Sequence, residues 1–175
     1  MDLRSLVRTI EDFPKKGILF RDVTTLLGHG AGYQQTIDTF VARYKNEGIQ
    51  KVAGIEARGF ILGGAIAHQL GAGFVPLRKK GKLPGQAVGH DYELEYGTDR
   101  IEMHIGAITP GERVLLVDDL IATGGTAEAG IRLIRIAEGV VVEACFVIDL
   151  PDLGGAKRIE ALGVKTYSLF AFEGH

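Results

Sequence analysis

Two adjacent carboxylates, Asp118 and Asp119, follow the apolar run Val114-Leu115-Leu116-Val117. Behind them comes a loop of small residues, Ala122-Thr123-Gly124-Gly125-Thr126. A continuous apolar run of this kind suits a strand buried on both faces of a parallel sheet. Successive strand side chains point to opposite faces, so the two acids are expected to converge only if the strand ends before them. A glycine-rich loop entering a helix turns backbone N–H groups inward, and those donors together with the helix N-terminus favour an anion. No lysine follows the glycines, so the loop is not of the Walker A type, which favours a monophosphate over a triphosphate. Carboxylates accept hydrogen bonds from sugar hydroxyls, as in dinucleotide folds. Acids beside a phosphate cradle therefore suggest a ribose 5-phosphate. A plain strand–turn–helix with a solvated acid pair uses some of the same residue types, but not all thirteen in order.

Three further segments could assist. Glu56-Ala57-Arg58-Gly59-Phe60 offers N–H groups at a helix start and a guanidinium, a second anion site or an ordinary strand–helix turn. Arg78-Lys79-Lys80-Gly81-Lys82-Leu83-Pro84-Gly85 is a basic run, solvated or functional. Tyr92-Glu93-Leu94-Glu95-Tyr96-Gly97 places Glu93 and Glu95 on one strand face, at a solvent-facing edge or at a site.

The thirteen-residue segment resembles the phosphoribosyl pyrophosphate signature of the type I phosphoribosyltransferases. The resemblance runs from Phe13 to the Phe172-Glu173-Gly174-His175 terminus. It implies that Asp118 and Asp119 hold the ribose hydroxyls while Ala122, Thr123, Gly124, Gly125 and Thr126 bind the 5-phosphate. It further implies that Arg58 lies in a pyrophosphate loop and reaches toward the base, and that Arg78 and Lys82 open a flexible catalytic loop and contact pyrophosphate. Glu95 would be the general acid/base near the purine. Ile18-Leu19-Phe20-Arg21-Asp22-Val23 is similar to the hood of the adenine-specific members, in which the Leu19 and Arg21 backbones would pair with the base and Phe20 would pack nearby. A buried apolar turn has the same composition. Members specific for hypoxanthine-guanine or orotate usually carry Glu-Asp in place of Asp118-Asp119. Transfer from phosphoribosyl pyrophosphate to adenine, Mg²⁺ carried on the substrate pyrophosphate with a water-mediated reach to Asp118 and Asp119, and a homodimer are what the resemblance implies. Lys80 departs from a position where proline is common, and the 86–90 tract is less familiar.

The elements that must position these groups alternate. Residues 1–10 space Leu3, Leu6, Val7 and Ile10 as one face of a short helix, and residues 13–17 read as a turn. Helices are expected at 33–46, 59–70, 126–138 and 156–162, with strands at 51–55, 74–77, 114–117, 140–148 and 164–170. Residues 79–91 lack periodicity and are expected to form a mobile loop, followed by a hairpin of 92–96 and 100–105. This pattern predicts an α/β fold with a mostly parallel central sheet and an antiparallel excursion at 79–105. The resemblance adds a small N-terminal hood and identifies the excursion as a flexible-loop hairpin. We read residues 1–175 as one domain, with the hood at about 1–30 and the flexible loop at about 79–97. Ligands in such sheets bind beyond the carboxyl ends of the strands.

The bulk composition is that of a soluble globular chain, with 46% hydrophobic and 24% charged residues. A formal net charge of −2 gives no reason to expect nucleic-acid or membrane binding, and the chain has neither a helix-turn-helix segment nor a broad basic face. One cysteine, Cys145, cannot form an internal disulfide, and no signal-like or membrane-spanning run is present; the expected location is cytoplasmic. The five histidines lack metal-ligand spacing, and neither Ser5 nor Ser168 sits in a nucleophile elbow.

Overall fold

A computed structural model describes residues 1–94 and 97–174. Its main sheet has seven strands in the order β5-β6-β4-β3-β7-β8-β9. These are β3 (Lys51–Ile55), β4 (Gly73–Lys79), β5 (Ala87–Leu94), β6 (Gly97–His104), β7 (Arg113–Ile121), β8 (Val140–Asp149) and β9 (Thr166–Ala171). Strands β4, β3, β7, β8 and β9 run parallel, and β6 and β5 are added antiparallel at one edge. A separate antiparallel pair joins β1 (Arg8–Glu11) to β2 (Leu19–Asp22).

Alternation along β7 divides the core. Val114 and Leu116 face a cluster built with Ile131, Leu133 and Ile134 of α4 (Gly125–Ile136) and Ile159 of α5 (Gly155–Glu160). Leu115 and Val117 face the other cluster, with Ile37 and Phe40 of α2 (Gly30–Tyr44) and Leu62 and Ile66 of α3 (Arg58–Leu70). A short α1 (Thr24–Leu27) links the hood to α2. A strand covered by helices on both sides is apolar at every position, which is why 114–117 shows no alternation. No described helix is long and apolar enough to cross a membrane.

Three expectations change. The N-terminal helix reduces to one 3₁₀ turn, Leu3–Leu6, with Asp2 accepting from the Arg4 N–H. From Arg8 onward, pairing with β2 and the Arg8–Asp22 ion pair replace helical bonding. The irregular stretch after Lys79 is shorter than expected, because Ala87 to Asp91 belong to β5 and pair with His104 to Arg100 of β6. Strand β7 also continues past the acids: Asp118 pairs in register with Phe146, and Leu120 with Ile148.

Candidate active site

The carboxyl ends of β3, β4 and β7 bring the chemistry together. The Arg58 Nε donates to Asp119 Oδ2 at 2.5 Å, joining the start of α3 to β7. Asp119 is only 7% exposed, so the guanidinium matches a carboxylate that water scarcely reaches. Burial alone would lower the Arg58 pKa, but Asp119, then Asp118 and Asp22, outweigh it and hold the group more firmly charged than usual.

The second acid reaches the same place although it lies within the strand. Asp118 Oδ1 turns back to accept the Asp119 N–H at 2.8 Å. The close approach of α3 depends on Gly59. A β-carbon there would lie 2.9 Å from the Val117 carbonyl oxygen and 3.3 Å from Asp118 Oδ1. Convergence therefore comes from a helix seated on the strand end, not from the strand stopping early. Burial, and after it the neighbouring Asp119 charge, push the Asp118 carboxyl well above the usual carboxylate range.

Beyond the acids, residues 122–126 curl into the start of α4. Gly124 has φ +89°, a left-handed conformation that side chains rarely adopt. A cavity of about 170 Å³ lies at this loop, lined by Asp118, Ile121, Thr123, Gly124, Gly125 and Thr126. Thr123 is exposed and Thr126 half-buried, and both line the cavity at the N-terminal end of a twelve-residue helix. Such an arrangement suits a phosphate.

The basic run begins beside this edge. Arg78 Nε donates to Glu56 Oε1 at 3.2 Å, and the Lys79 N–H donates to the same oxygen at 3.0 Å. Burial would raise the Glu56 pKa, but the Lys79 amide and Arg78 outweigh it and hold the carboxyl below its ordinary range. Arg78 Nη1 also lies 3.4 Å from the Lys82 carbonyl oxygen, while the Lys82 residue is exposed. Glu56, without an assigned role in the sequence reading, is thus the anchor of Arg78. Its position two residues before Arg58, between the end of β3 and the start of α3, was the available signal.

The hood approaches from the C-terminal side. Arg21 donates to Thr9 Oγ1 at 2.7 Å and to the Glu173 carbonyl at 3.2 Å, and its guanidinium lies 4.6 Å from the Phe172 ring centroid. Leu19 and Phe20 lie beside it on β2, with the Phe20 ring edge-on to Phe13 at 5.1 Å. Asp22 is buried, tied to Arg8 and to the Thr24 N–H and hydroxyl. Burial would raise its pKa, but these partners outweigh it and hold it below the ordinary range. The expected acid/base, Glu95, lies outside the described residues. Among the described residues no group of three or more His, Cys, Asp or Glu is placed to hold a metal ion.

The phosphoribosyl transferase domain model matches residues 23–173. Adenine phosphoribosyltransferase from Rhodopseudomonas palustris (strain TIE-1) is 63% identical over 174 residues, covering 99% of this chain and 96% of the relative. The chain belongs to the adenine phosphoribosyltransferase family. The crystal structure of the Rhodothermus marinus family member superposes with a TM-score of 0.92 at 53% identity, covering 97% of this chain and 96% of the other. The Saccharomyces cerevisiae member, solved with D-2,5-dideoxy-2,5-imino-altritol 1,6-bisphosphate and adenine, superposes with a TM-score of 0.91 at 37% identity, each chain covered to 96%. The sequence-derived α/β architecture agrees with these folds.

Proposed function

We propose that the chain transfers the 5-phosphoribosyl group of phosphoribosyl pyrophosphate to adenine, giving AMP and pyrophosphate. What supports this most is that both acids meet the start of α3, Asp119 through Arg58 and Asp118 beside Gly59, while Asp118 also lines the cavity of the 122–126 loop. Asp118 and Asp119 accept the ribose hydroxyls, and Ala122, Thr123, Gly124, Gly125 and Thr126 cradle the 5-phosphate. Asp119 then exchanges its Arg58 partner for sugar hydroxyls, freeing the guanidinium for pyrophosphate.

Cleavage at the anomeric carbon leaves positive charge on the sugar and negative charge on the departing pyrophosphate. Arg58, Arg78 and Lys82 stabilise the latter as it develops. Asp118 and Asp119 offer hard oxygen donors that would reach, through water, an Mg²⁺ ion brought in with the pyrophosphate, and such an ion would offset part of the pyrophosphate charge. Glu95 handles the proton at the base, worth on the order of 10²–10⁴-fold. The Leu19 and Arg21 backbones read adenine's edge, with Phe20 beside them. Closure of the flexible loop, about 79–97, shields the charged sugar from water.

On the same reading the chain is one domain with its hood at about 1–30, acts as a cytoplasmic homodimer, and binds neither nucleic acid nor membrane. A panel of adenine, hypoxanthine, guanine and orotate, each with phosphoribosyl pyrophosphate and Mg²⁺, tests the assignment. Turnover should be confined to adenine; preference for any other base refutes it.

A further inference from the structure

The first turn of α4, next to the proposed phosphate loop, carries an acid. Glu128 lies in the first turn, its N–H donating to the Gly124 carbonyl at 2.9 Å. A carboxylate there is favoured by the helix dipole, but it competes with a phosphate for the same positive end. Both of its oxygens are occupied. Arg158 Nε donates to Oε1 at 2.8 Å, and Arg132 Nη2 donates to Oε2 at 3.3 Å. The Arg158 hydrogen bond is the foremost cause of a Glu128 pKa below its ordinary range, so the carboxylate is charged at neutral pH.

The two arginines are not equivalent. Arg132 is one turn further along α4, whereas Arg158 comes from α5 and lies against the loop itself. Its Cδ is 3.4 Å from where a Gly124 β-carbon would stand, and its Nη1 3.7 Å from that of Gly125. Helix α5 is fixed to the loop by the Gly155 N–H, which donates to the Ala122 carbonyl at 3.0 Å. The approach is so close that a β-carbon on Gly155 would lie 2.5 Å from that oxygen and 3.0 Å from the Gly124 nitrogen. The loop has no lysine of its own to offset a nearby acid.

We propose that Arg158 is a positioning residue for phosphate binding, cancelling the Glu128 charge so that a dianionic group can occupy the start of α4. This rests on the reading of residues 122–126 as the phosphate cradle. A unit charge repelling a dianion across about 8 Å of hydrated site corresponds to roughly fivefold in affinity.

The test is calorimetric titration of the full chain with AMP and, as the phosphate-free control, adenine. Arg158→Gln should weaken AMP about fivefold at low salt and leave adenine within twofold. The AMP defect should shrink in concentrated salt, which screens charge. Glu128→Gln should bind AMP at least as tightly as the parent, and the double variant Glu128→Gln/Arg158→Gln should recover AMP binding to within twofold. If Glu128→Gln weakens AMP as much as Arg158→Gln does, or the double variant stays as weak as the single one, the pair is a structural strut and the proposal fails. Thr126→Val separates the two readings. If it weakens AMP while Arg158→Gln has no effect, only the Arg158 role is overturned; if it leaves AMP untouched, the phosphate cradle itself is misplaced and the proposal falls with it.

Discussion

Gly59 carries the contact that holds the Arg58 end of α3 against the acid pair, so Gly59→Ala is the sharpest test of that geometry. The new β-carbon would meet backbone at 2.9 Å, against ordinary van der Waals contact from 3.4 Å, and the helix must retreat by about half an ångström. Overpacking of this kind costs about 1–3 kcal/mol. Alanine in a helix returns about 0.5–1 kcal/mol relative to glycine. The net loss is about 0–2.5 kcal/mol, which at about 2–4 °C per kcal/mol lowers Tm by at most about 10 °C and leaves the chain folded at 25 °C. The kinetic loss should be disproportionate. A 1 Å misplacement can cost about 10²-fold, so half of that costs roughly tenfold in kcat/KM for phosphoribosyl pyrophosphate. Gly64→Ala in the same helix is the control, because nothing lies within 4 Å of its β-carbon position. It should raise Tm by about 1–4 °C with unchanged kinetics. Differential scanning calorimetry and initial rates on both variants decide the matter. A folded Gly59→Ala with kcat/KM within twofold of the parent would refute the claim that this approach positions the site.

Other substitutions separate charge from shape. Asp118→Asn together with Asp119→Asn should abolish turnover without unfolding the chain, as followed by circular dichroism and product formation. Asp118→Asn alone should change the pH dependence of stability. Because burial raises the Asp118 pKa in the folded state, stability is fully present below the unfolded carboxylate pKa and is lost as pH rises through the raised folded value. Tm scans across pH should show the parent-minus-variant difference declining as pH rises, because the lowered carboxylates Asp22, Glu56 and Glu128 contribute equally to both chains and cancel. Arg58→Gln should lower kcat/KM about 10²–10³-fold and leave Asp119 buried without its partner, costing about 1–2 kcal/mol after allowing for the 40% exposure of the Arg58 side chain. Glu95→Gln should lower kcat about 10²–10⁴-fold; a change confined to KM would assign it to binding.

Much of the sheet was legible because burial on both faces leaves runs such as 114–117 with no polar residue, and the helices that cover it repeat at their own period. The N-terminus was misread for a physical reason. Leu3, Leu6 and Val7 do pack on the core, but four residues of 3₁₀ turn suffice for that, and Arg8 then finds its partner in Asp22 across the hairpin. Long-range pairing leaves no mark on local periodicity. The same holds at the site. The acids and the glycine loop stand out as a contiguous string, whereas Glu56 gripping Arg78 and Arg158 crossing to Glu128 join residues 22 and 30 positions apart. Strand β7 also outran its apolar run, since Asp118 keeps its place in the ladder and pairing resumes at Leu120, while Gly59 lets α3 reach the acids.

A crystal structure of the chain with AMP addresses the central claim directly. The 5′-phosphate should lie on the N–H groups and hydroxyls of residues 122–126, with the ribose hydroxyls on Asp118 and Asp119 and Asp119 released from Arg58. Nucleotide density away from the β7–α4 loop, with the Arg58–Asp119 pair intact, would contradict it.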